Sequence, residues 1–223
     1  MSLPKYECEL TALAVAKLIG DKPSTFLEIG CNDGTDTLKF LDLLPNTHIF
    51  CFECDPRAIT LFKQNVKVPN ITLFDVALDE TGGEKLFYQS DGGPDGGWNK
   101  SGSLCLPTGH LQRSPEITFP KQILVRTTTL DVWAEVYFPH VMHNPHVLID
   151  FIWMDVQGAE LRVLRSGKKT LNRTRYLYLE CHEQILYDGQ PTEKEIIAEL
   201  TGWTCLGRYG DNLLFRNEKH ARV

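Results

Sequence analysis

Residues 26–40, FLEIGCNDGTDTLKF, contain a short apolar run that ends near an acid, a turn with two glycines, and the start of a helical pattern. Gly30 and Gly34 bracket the turn, and Asn32 and Asp33 lie between them. Glycine allows the backbone to approach a ligand closely, and a strand followed by such a turn and a helix is a common ligand-binding arrangement. The stretch therefore predicts a ligand site at the carboxyl end of a strand.

The rest of the chain alternates between strand-like and helix-like segments. Strands are predicted at residues 25–29, 48–53, 71–74, 84–88, 147–154 and 176–181, with another beginning at 122, and a hairpin is predicted at 203–217. Helical patterns lie between most of these strands, which indicates a doubly wound, mostly parallel α/β sheet with an antiparallel hairpin at one side. We expect one domain over residues 1–223, with an N-terminal helix within residues 1–24 and a long irregular loop at residues 89–120.

Composition narrows the function classes. The chain has 223 residues and a net charge of −6, and its longest basic run is Lys168-Lys169, which disfavours nucleic-acid binding. No apolar run reaches membrane-spanning length. Seven scattered cysteines, an odd number, indicate reduced thiols and a cytoplasmic protein without membrane association. A small-molecule or glycan partner is expected, and the composition does not indicate an oligomeric state.

Three ligands compete for the glycine turn. A P-loop requires GxxxxGK[ST], but Gly34 is followed by Thr35 and no lysine. A dinucleotide site requires GxGxxG, whereas the spacing here is Gly30-x-x-x-Gly34. S-adenosylmethionine (SAM) carries no phosphate, and an acidic glycine turn suits its positive charge. The glycine spacing therefore favours SAM.

The expected SAM contacts come from three successive strand ends. Glu28 or Asp33 would offset positive charge, Glu53 would hold the ribose hydroxyls, and the adenine would lie against residues 75–77. Taken singly, Asp33 and Asp55 are as readily explained as helix caps. The candidate cofactor-binding residues are Glu28, Gly30, Asn32, Asp33, Gly34, Glu53, Cys54, Asp75, Val76, Ala77 and Asp155.

These motifs resemble the FkbM family of methyltransferases. EIGCNDGTDT (28–37) is similar to the family's D-x-G-A-N-x-G turn, and FECDP (52–56) to its F-E-P segment. FDVALDETGG, VRTTTLD, WMDVQGAELRVLRSG and LYLECH extend the resemblance to His182. The resemblance implies a class I methyltransferase (Rossmann-like) fold with a seven-stranded sheet and O-methylation of a hydroxyl, often on a sugar or a secondary metabolite.

Two positions differ from the family pattern. The family often has Lys and Glu where this chain has Trp153 and Gln157, on either side of Asp155. A non-catalytic SAM-binding or scaffold protein is therefore a second hypothesis, and a nicotinamide-dependent oxidoreductase is a third that the glycine spacing disfavours.

Four polar residues at the later strand ends are candidate catalytic residues. Asp155 ends one central strand, Glu180 and His182 end the next, and Glu160 lies one turn into a helix, where it could instead be a solvated first-turn acid. The unperturbed pKa of an imidazole is nearer to neutral pH than that of a carboxyl group, which favours His182 as the base and Asp155 as the orienting group. An alternative is a divalent ion held by Asp155, Glu180 and His182, which ranks below a metal-free site.

The loop at residues 89–120 is expected to cover the acceptor. Trp98 could stack on a sugar face, and Ser101, Ser103 and His110 could bond hydroxyls, although plain disorder is an alternative. His140, His143 and His146 lie near Pro139 and Pro145, so a surface loop is favoured over a metal site there.

Overall fold

The computed structural model describes residues 3–20, 22, 24–93, 96–144 and 146–221. Its strands are β1 (Lys5–Tyr6), β2 (Ser24–Ile29), β3 (Thr47–Glu53), β4 (Ile71–Asp75), β5 (Ala77–Leu78), β6 (Gly83–Gly92), β7 (Ile117–Thr128), β8 (Ile149–Met154), β9 (Thr174–Glu180), β10 (Trp203–Tyr209) and β11 (Asn212–Asn217). Its helices are α1 (Ala12–Ile19), α2 (Thr35–Leu43), α3 (Pro56–Asn65), α4 (His110–Arg113), α5 (Leu130–Tyr137), α6 (Pro139–His143), α7 (Glu160–Ser166), α8 (Lys168–Leu171) and α9 (Glu193–Glu199), followed by a 3₁₀ turn at Glu218–His220.

The main sheet confirms the predicted fold class. Its strand order is β1-β10-β11-β9-β8-β2-β3-β4, in which β4, β3, β2, β8 and β9 run parallel. The hairpin of β10 and β11 is antiparallel and joins beside β9, as expected. The sheet has eight strands rather than seven because the two-residue β1 pairs with β10. A second sheet, β5-β7-β6, was not predicted.

Side chains on the two faces of the main sheet belong to two separate cores. Phe26 and Phe151 belong to the core that contains residues of α1, α2 and α3, whereas Leu27 and Ile152 belong to the core that contains residues of α5, α7 and α9. Successive strand residues point to opposite faces, so a strand covered on both faces is apolar at nearly every position. This explains why every residue of β8 except Asp150 is apolar.

Helix boundaries follow the predicted caps. Asp55 caps α3, its carboxylate accepting from Arg57 N at 3.0 Å, with Pro56 in the first turn. Gly20 ends α1 with φ +81°. Within residues 1–24, the helix covers only Ala12–Ile19, while residues 1, 2, 21 and 23 lie outside the described residues.

The strand order reverses between β2 and β8. From β2 the chain adds β3 and β4 on one side, and it later returns to add β8 and β9 on the other. Ligands of open α/β sheets bind at such a reversal, outside the carboxyl ends of the strands. Gly30 ends β2 at this point with φ +89°, and Asp155 N donates to Ile29 O at 2.9 Å. The predicted glycine turn therefore lies at the point where a ligand is expected.

The irregular loop predicted at residues 89–120 is shorter at both ends in the structure. β6 continues to Gly92 and β7 begins at Ile117, and the two strands pair with a register shift between Gln89 and Asp91. Pro120 lies opposite this shift. A bulge tolerates proline because a ladder hydrogen bond is already missing there, which is why the proline did not end the strand.

The segment around His140 also differs from the prediction. Residues Pro139–His143 form the short helix α6, with Pro139 in its first turn, where the missing N–H costs no hydrogen bond. Pro145 lies outside the described residues. Across the described ranges, no helix has both the length and the apolar character needed to cross a bilayer.

Replacing Gly30 by alanine should destabilise the fold strongly. A Cβ on Gly30 would overlap the carbonyl oxygen of Asp155, in addition to the cost of about 1–2 kcal/mol for a left-handed alanine. Gly189 is the matched control, because it has φ +73° and nothing within 4 Å of an added Cβ. Denaturant unfolding should show a loss of about 3 kcal/mol or more for Gly30→Ala and about 1–2 kcal/mol for Gly189→Ala. Equal losses would show that β2 and β8 do not approach this closely.

Candidate active site

A cavity of about 240 Å³ lies at the carboxyl ends of β2, β3 and β8. Its walls are formed by residues 28–33, 52–54, 76–78 and 155–157, and Asn99, Lys100, Gly102 and Leu104 lie above them. The last group belongs to the cover segment, which we define as residues 96–116, between β6 and β7. The cavity thus unites the three predicted strand ends and the predicted cover.

Glu53 ties two of these strand ends together. Its Oε2 accepts from Asn32 N at 3.0 Å, and its Oε1 accepts from Cys54 N at 2.7 Å and Asp55 N at 2.8 Å. Burial raises the pKa of Glu53 to about 7, while the three backbone N–H groups stabilise the ionised form and limit the rise. A carboxylate has about four accepting positions, so Glu53 can accept further hydrogen bonds from a ligand in the cavity.

Asn32 aims a polar atom into the cavity wall. It adopts φ +46°, and its Nδ2 donates to Asn99 O in the cover segment at 3.2 Å. Its Oδ1 is buried without a hydrogen-bond partner in the described part of the chain. Because buried polar atoms are rarely left unpaired, Oδ1 is suited to accept a hydrogen bond from a bound ligand.

Glu28 lies beneath the glycine turn. Its side chain is buried, and Thr37 Oγ1 of α2 donates to Glu28 Oε2 at 2.5 Å. Burial raises the pKa of Glu28 to about 8, although the Thr37 hydrogen bond opposes the rise. Glu28 therefore joins β2 to α2, and at neutral pH it is largely protonated, which does not suit the predicted role of offsetting a positive charge.

Three other predicted cofactor residues have different surroundings. Asp33 lines the cavity, and its Oδ1 accepts from Thr35 N, the first residue of α2, at 3.0 Å, whereas the N-cap of α2 is Gly34. Gly34 has φ +78°, and a Cβ there would meet Val66 and Phe62, so its role is to let the turn pack on α3. Asp75 lies outside the cavity wall, and Arg126 donates to its carbonyl at 3.0 Å. Asp75 is accordingly removed from the candidate set.

The later strand ends bring Asp155 and Glu180 together through Gln157. Gln157 Nε2 donates to Asp155 Oδ1 at 2.6 Å and to Glu180 Oε2 at 2.8 Å. Burial raises the pKa of both carboxyl groups, and the charge of Asp155 raises that of Glu180 further. Asp155 lines the cavity, whereas Glu180 lies behind it.

His182 also lies behind the cavity wall. Its Nε2 is 3.0 Å from Glu180 Oε1, and its Nδ1 is 3.0 Å from Asp211 Oδ2 and 3.0 Å from Arg113 Nη1. His182 is not among the residues that line the cavity. The arrangement therefore links His182 to the cavity through Glu180 rather than by direct contact.

Glu160 has a structural position. It is buried, and its Oε1 accepts from Val156 N and Gly158 N, both at 3.2 Å. Burial, reinforced by the charge of Glu180, raises its pKa to about 8. Glu160 thus shapes the turn after β8. This contradicts both its predicted catalytic role and the alternative of a solvated first-turn acid.

The cover segment is packed against the strand ends. Ser103 Oγ donates to Gln157 O at 2.6 Å, and Trp98 Nε1 donates to Ser101 Oγ at 2.9 Å. Ser101, Ser103 and His110, which were predicted to bond acceptor hydroxyls, are buried and do not line the cavity. Asn99, Lys100, Gly102 and Leu104 line the cavity instead. No feature of the sequence distinguishes these four from their neighbours in a polar, glycine-rich run.

Tyr187 is a further residue that the sequence did not single out. It is fully buried, and its hydroxyl lies 2.6 Å from Gln157 Oε1 and 3.0 Å from Ser101 O. Burial raises its pKa well above the usual range. Tyr187 therefore joins the cover segment to the acid pair as a hydrogen-bond donor.

Within the described residues, no three His, Cys, Asp or Glu side chains are arranged to hold a metal ion.

Removing the Glu28 carboxyl should change how stability depends on pH. With a folded pKa of about 8 and an unfolded value of 4.5, the folded state binds the extra proton between these values, so stability falls as pH rises. One such group contributes at most about 1.4 kcal/mol per pH unit. Glu28→Gln, which can still accept from Thr37, should show a shallower fall in unfolding free energy between pH 5.5 and pH 8.

The control for this measurement is Glu84→Gln, at an exposed acid on β6. Glu53 and Glu160 should keep part of the pH dependence in the Glu28 variant, since burial raises their pKa values as well. A pH dependence identical in wild type and Glu28→Gln would contradict burial of the Glu28 carboxyl.

Comparison with known proteins agrees with this geometry. The model of the methyltransferase FkbM domain matches residues 28–212. The 2-O-methyltransferase NoeI of Sinorhizobium fredii (strain NBRC 101917 / NGR234) is 37% identical over 212 residues, which cover 92% of this chain and 84% of NoeI. The solved structure of a proposed O-methyltransferase from Klebsiella pneumoniae has a TM-score of 0.51 and 11% identity, and it supports the fold alone; the match covers 92% of this chain and 77% of that one. The chain belongs to the FkbM family of methyltransferases.

Proposed function

We propose that this protein transfers the methyl group of S-adenosylmethionine to a hydroxyl oxygen of a sugar or a similar small acceptor. The family membership supports methyl transfer, and the name of NoeI, a 2-O-methyltransferase, supports a hydroxyl acceptor. Because NoeI is 37% identical over most of this chain, we extend the proposal to the 2-hydroxyl of the acceptor.

The single observation that carries the cofactor assignment is the pair of acceptors at the first two strand ends. Asn32 Oδ1 is buried without a partner in the described part of the chain, and Glu53 has accepting capacity beside it. The ribose and the amino groups of SAM are hydrogen-bond donors, so they match these acceptors. Val76, Ala77 and Leu78 supply an apolar wall suited to the adenine. When bound, SAM supplies a methyl group on a sulfonium, which an acceptor oxygen can displace.

The acceptor would lie against Asp155 and beneath the cover segment. Asp155 is the titratable group of the acid pair that lines the cavity, and its carboxylate can bind the acceptor hydroxyl. Because methyl transfer is an in-line displacement, holding the hydroxyl in position supplies much of the catalysis. Lys100 and Asn99 of the cover segment line the same cavity and can contact the other polar groups of a sugar.

The hypothesis of a non-catalytic protein rests on Trp153 and Gln157. Trp153 packs between Phe40 and Tyr178, with ring centroids 5.0 and 4.3 Å away, and it forms part of the cavity wall. Gln157 donates a hydrogen bond to Asp155, and both side chains line the cavity. Both departures therefore leave the cavity and its acid in place, which favours the catalytic proposal.

Glu53→Gln should weaken SAM binding. The variant keeps the size of the side chain but replaces one accepting oxygen with an NH₂ group that cannot accept. Calorimetry should show at least about tenfold weaker binding of SAM and of its demethylated product, which corresponds to about 1.4 kcal/mol. Asp75→Asn is the matched control: it makes the same change at the next strand end, outside the cavity, and affinity should be unchanged. Wild-type affinity in folded Glu53→Gln, or binding of NAD alone by the wild type, would contradict the cofactor assignment.

The acceptor class can be tested with SAM labelled in its methyl group. The wild-type protein should label members of a panel of monosaccharide and oligosaccharide glycosides, and NMR of the product should show the new methyl group on the 2-oxygen. A panel of glycosides that lack the 2-hydroxyl is the control and should not be labelled. Tight SAM binding with no labelling across the panel and a second panel of phenolic and aliphatic alcohols would favour the non-catalytic alternative.

A further inference from the structure

A row of polar side chains, each in contact with the next, leads from the cavity to the surface. Asp155 lines the cavity, and Gln157 Nε2 contacts both Asp155 and Glu180. Glu180 Oε1 is 3.0 Å from His182 Nε2, and His182 Nδ1 is 3.0 Å from Asp211 Oδ2. The exposed fraction of the side chain is 15% for Glu180, 12% for His182 and 38% for Asp211. The row therefore begins in the cavity and ends at solvent.

Gln157 fixes the first two acids of this row. Its two N–H hydrogens go to Asp155 and Glu180, and its Oε1 accepts from Tyr187 at 2.6 Å. The reversed amide would turn its oxygen toward two carboxyl groups, so the orientation is determined by its partners. Gln157 adopts φ +52°, a conformation that costs about 1–2 kcal/mol for a residue with a side chain. This position is therefore held against a backbone preference.

Burial and mutual repulsion favour a proton on the pair formed by Asp155 and Glu180. Burial raises the pKa of Asp155 and of Glu180, and the charge of Asp155 raises the pKa of Glu180 further. Two neighbouring carboxyl groups do not both ionise readily, because like charges repel. The pair can thus accept a proton at the cavity-facing Asp155 while it releases one from Glu180.

The surroundings of His182 accommodate either neutral tautomer. Its Nδ1 faces both an acceptor, Asp211 Oδ2, and a donor, Arg113 Nη1, each at 3.0 Å. With the proton on Nδ1, the ring donates to Asp211 and its Nε2 can accept from protonated Glu180. With the proton on Nε2, the ring donates to Glu180 and its Nδ1 accepts from Arg113. An imidazole with partners for both tautomers can receive a proton at one nitrogen and release one from the other.

We propose that Asp155, Glu180 and His182 form a proton relay that carries the proton of the methylated hydroxyl from the cavity to Asp211 and solvent. This relay rests on the proposed function, because O-methylation releases one proton for each methyl group transferred. The acceptor oxygen bonds to the methyl carbon, the carbon–sulfur electron pair passes to sulfur, and the O–H electron pair stays on oxygen. Asp155 takes the released proton, Glu180 passes its proton to His182 Nε2, and the Nδ1 proton leaves to Asp211 or water. The proton on Asp155 then moves to Glu180 through the hydrogen bond between the two carboxyl groups, and exchange with water restores the starting tautomer of His182.

The relay revises the prediction that His182 itself takes the proton from the acceptor. His182 contacts Glu180 but does not line the cavity, so the first acceptor of the proton is Asp155.

Other charged groups around the relay affect how its proton transfer depends on pH. Partial burial works to raise the pKa of Asp211, but the hydrogen bond from Arg113 and the charge of His182 lower it, so the last member of the row stays ionised. The titratable groups that face Glu180 and His182 are Asp155, Glu160, Tyr187, Asp211, Arg113 and His110.

A competing role for this cluster is mechanical. Arg113 lies on α4 within the cover segment, and it contacts His182 and Asp211, so the cluster also fastens the cover to the strand ends. A fastening role needs these contacts but does not need His182 to exchange protons. Measurements of protonation and of chemical rescue separate the two roles.

The first test uses the protein without cofactor or acceptor. In ¹⁵N spectra of the histidine side chains, His182 of the wild type should populate both neutral tautomers, because each has a partner at both ring nitrogens. In Glu180→Gln the amide oxygen should face Gln157 and the amide N–H should face His182, so the tautomer with its proton on Nδ1 should dominate. His143, which lies away from the cluster beside Glu135, is the internal control and should be the same in both proteins. A single fixed tautomer of His182 that Glu180→Gln leaves unchanged would overturn the relay.

The second test uses the glycosides that the wild type methylates. His182→Ala should bind SAM with an affinity within about twofold of wild type, but its kcat should fall at least about tenfold. For comparison, general base catalysis usually contributes about 10²–10⁴-fold. Added imidazole should restore part of this loss. Ser103→Ala, which removes another contact between the cover segment and the strand ends but leaves the relay and Arg113 unchanged, should lose less, and imidazole should not change its rate.

Equal loss in His182→Ala and Ser103→Ala, with no rescue by imidazole, would favour the mechanical role and overturn the relay. If the wild type bound SAM but methylated nothing, the proposed function would fail. The nitrogen spectra, which need no acceptor, would then still decide whether His182 exchanges protons with the acid pair.

Discussion

The approach of β2 to β8 is the constraint on which the site depends. These strands lie side by side where the sheet order reverses, and the Asp155 carbonyl occupies the space that a side chain at residue 30 would need. Gly30 removes that obstacle, and the same approach places Asp155 beside the glycine turn. A residue expected to contact the acceptor and a turn expected to contact the cofactor are thus brought together by one backbone contact. The chemistry at this position follows from the strand order rather than from either segment alone.

Buried carboxyl groups fasten the three loops around that contact. Glu28 holds the start of α2 through Thr37, Glu53 accepts from the backbone of two turns, and Glu160 accepts from the turn after β8. Burial raises the pKa of each, because it penalises the charged form. Such groups hold loops best when their hydrogen bonds are satisfied, and they make the stability of the fold decrease as the pH rises. Acids that look catalytic in the sequence can therefore serve the scaffold.

The sequence predicted the parallel sheet, the hairpin and the cap of α3, because apolar periodicity, Asp55 and Pro56 act locally. It did not predict the second sheet, in which a proline is tolerated at a bulge, nor β1, which has two residues. At the site, Glu53 and Asp155 were found from their places at strand ends. The sequence does not tell whether a polar side chain faces a cavity or a neighbouring backbone. For this reason it predicted roles in the site for three residues that do not line the cavity: Asp75, Glu160 and Ser103. Tyr187 was missed because its contacts are distant in sequence.

The position where the chain departs from the family pattern is also the centre of the acid network. A glutamate at residue 157 would add a third carboxyl group beside Asp155 and Glu180, and it could donate a hydrogen bond only when protonated. Glutamine supplies two N–H hydrogens without charge, so it can hold both carboxyl groups while they share one proton. Glutamine therefore removes one titratable group from the cavity wall beside Asp155. In this chain, glutamine at position 157 positions both carboxyl groups of the proposed relay without adding a third group that would compete for the proton.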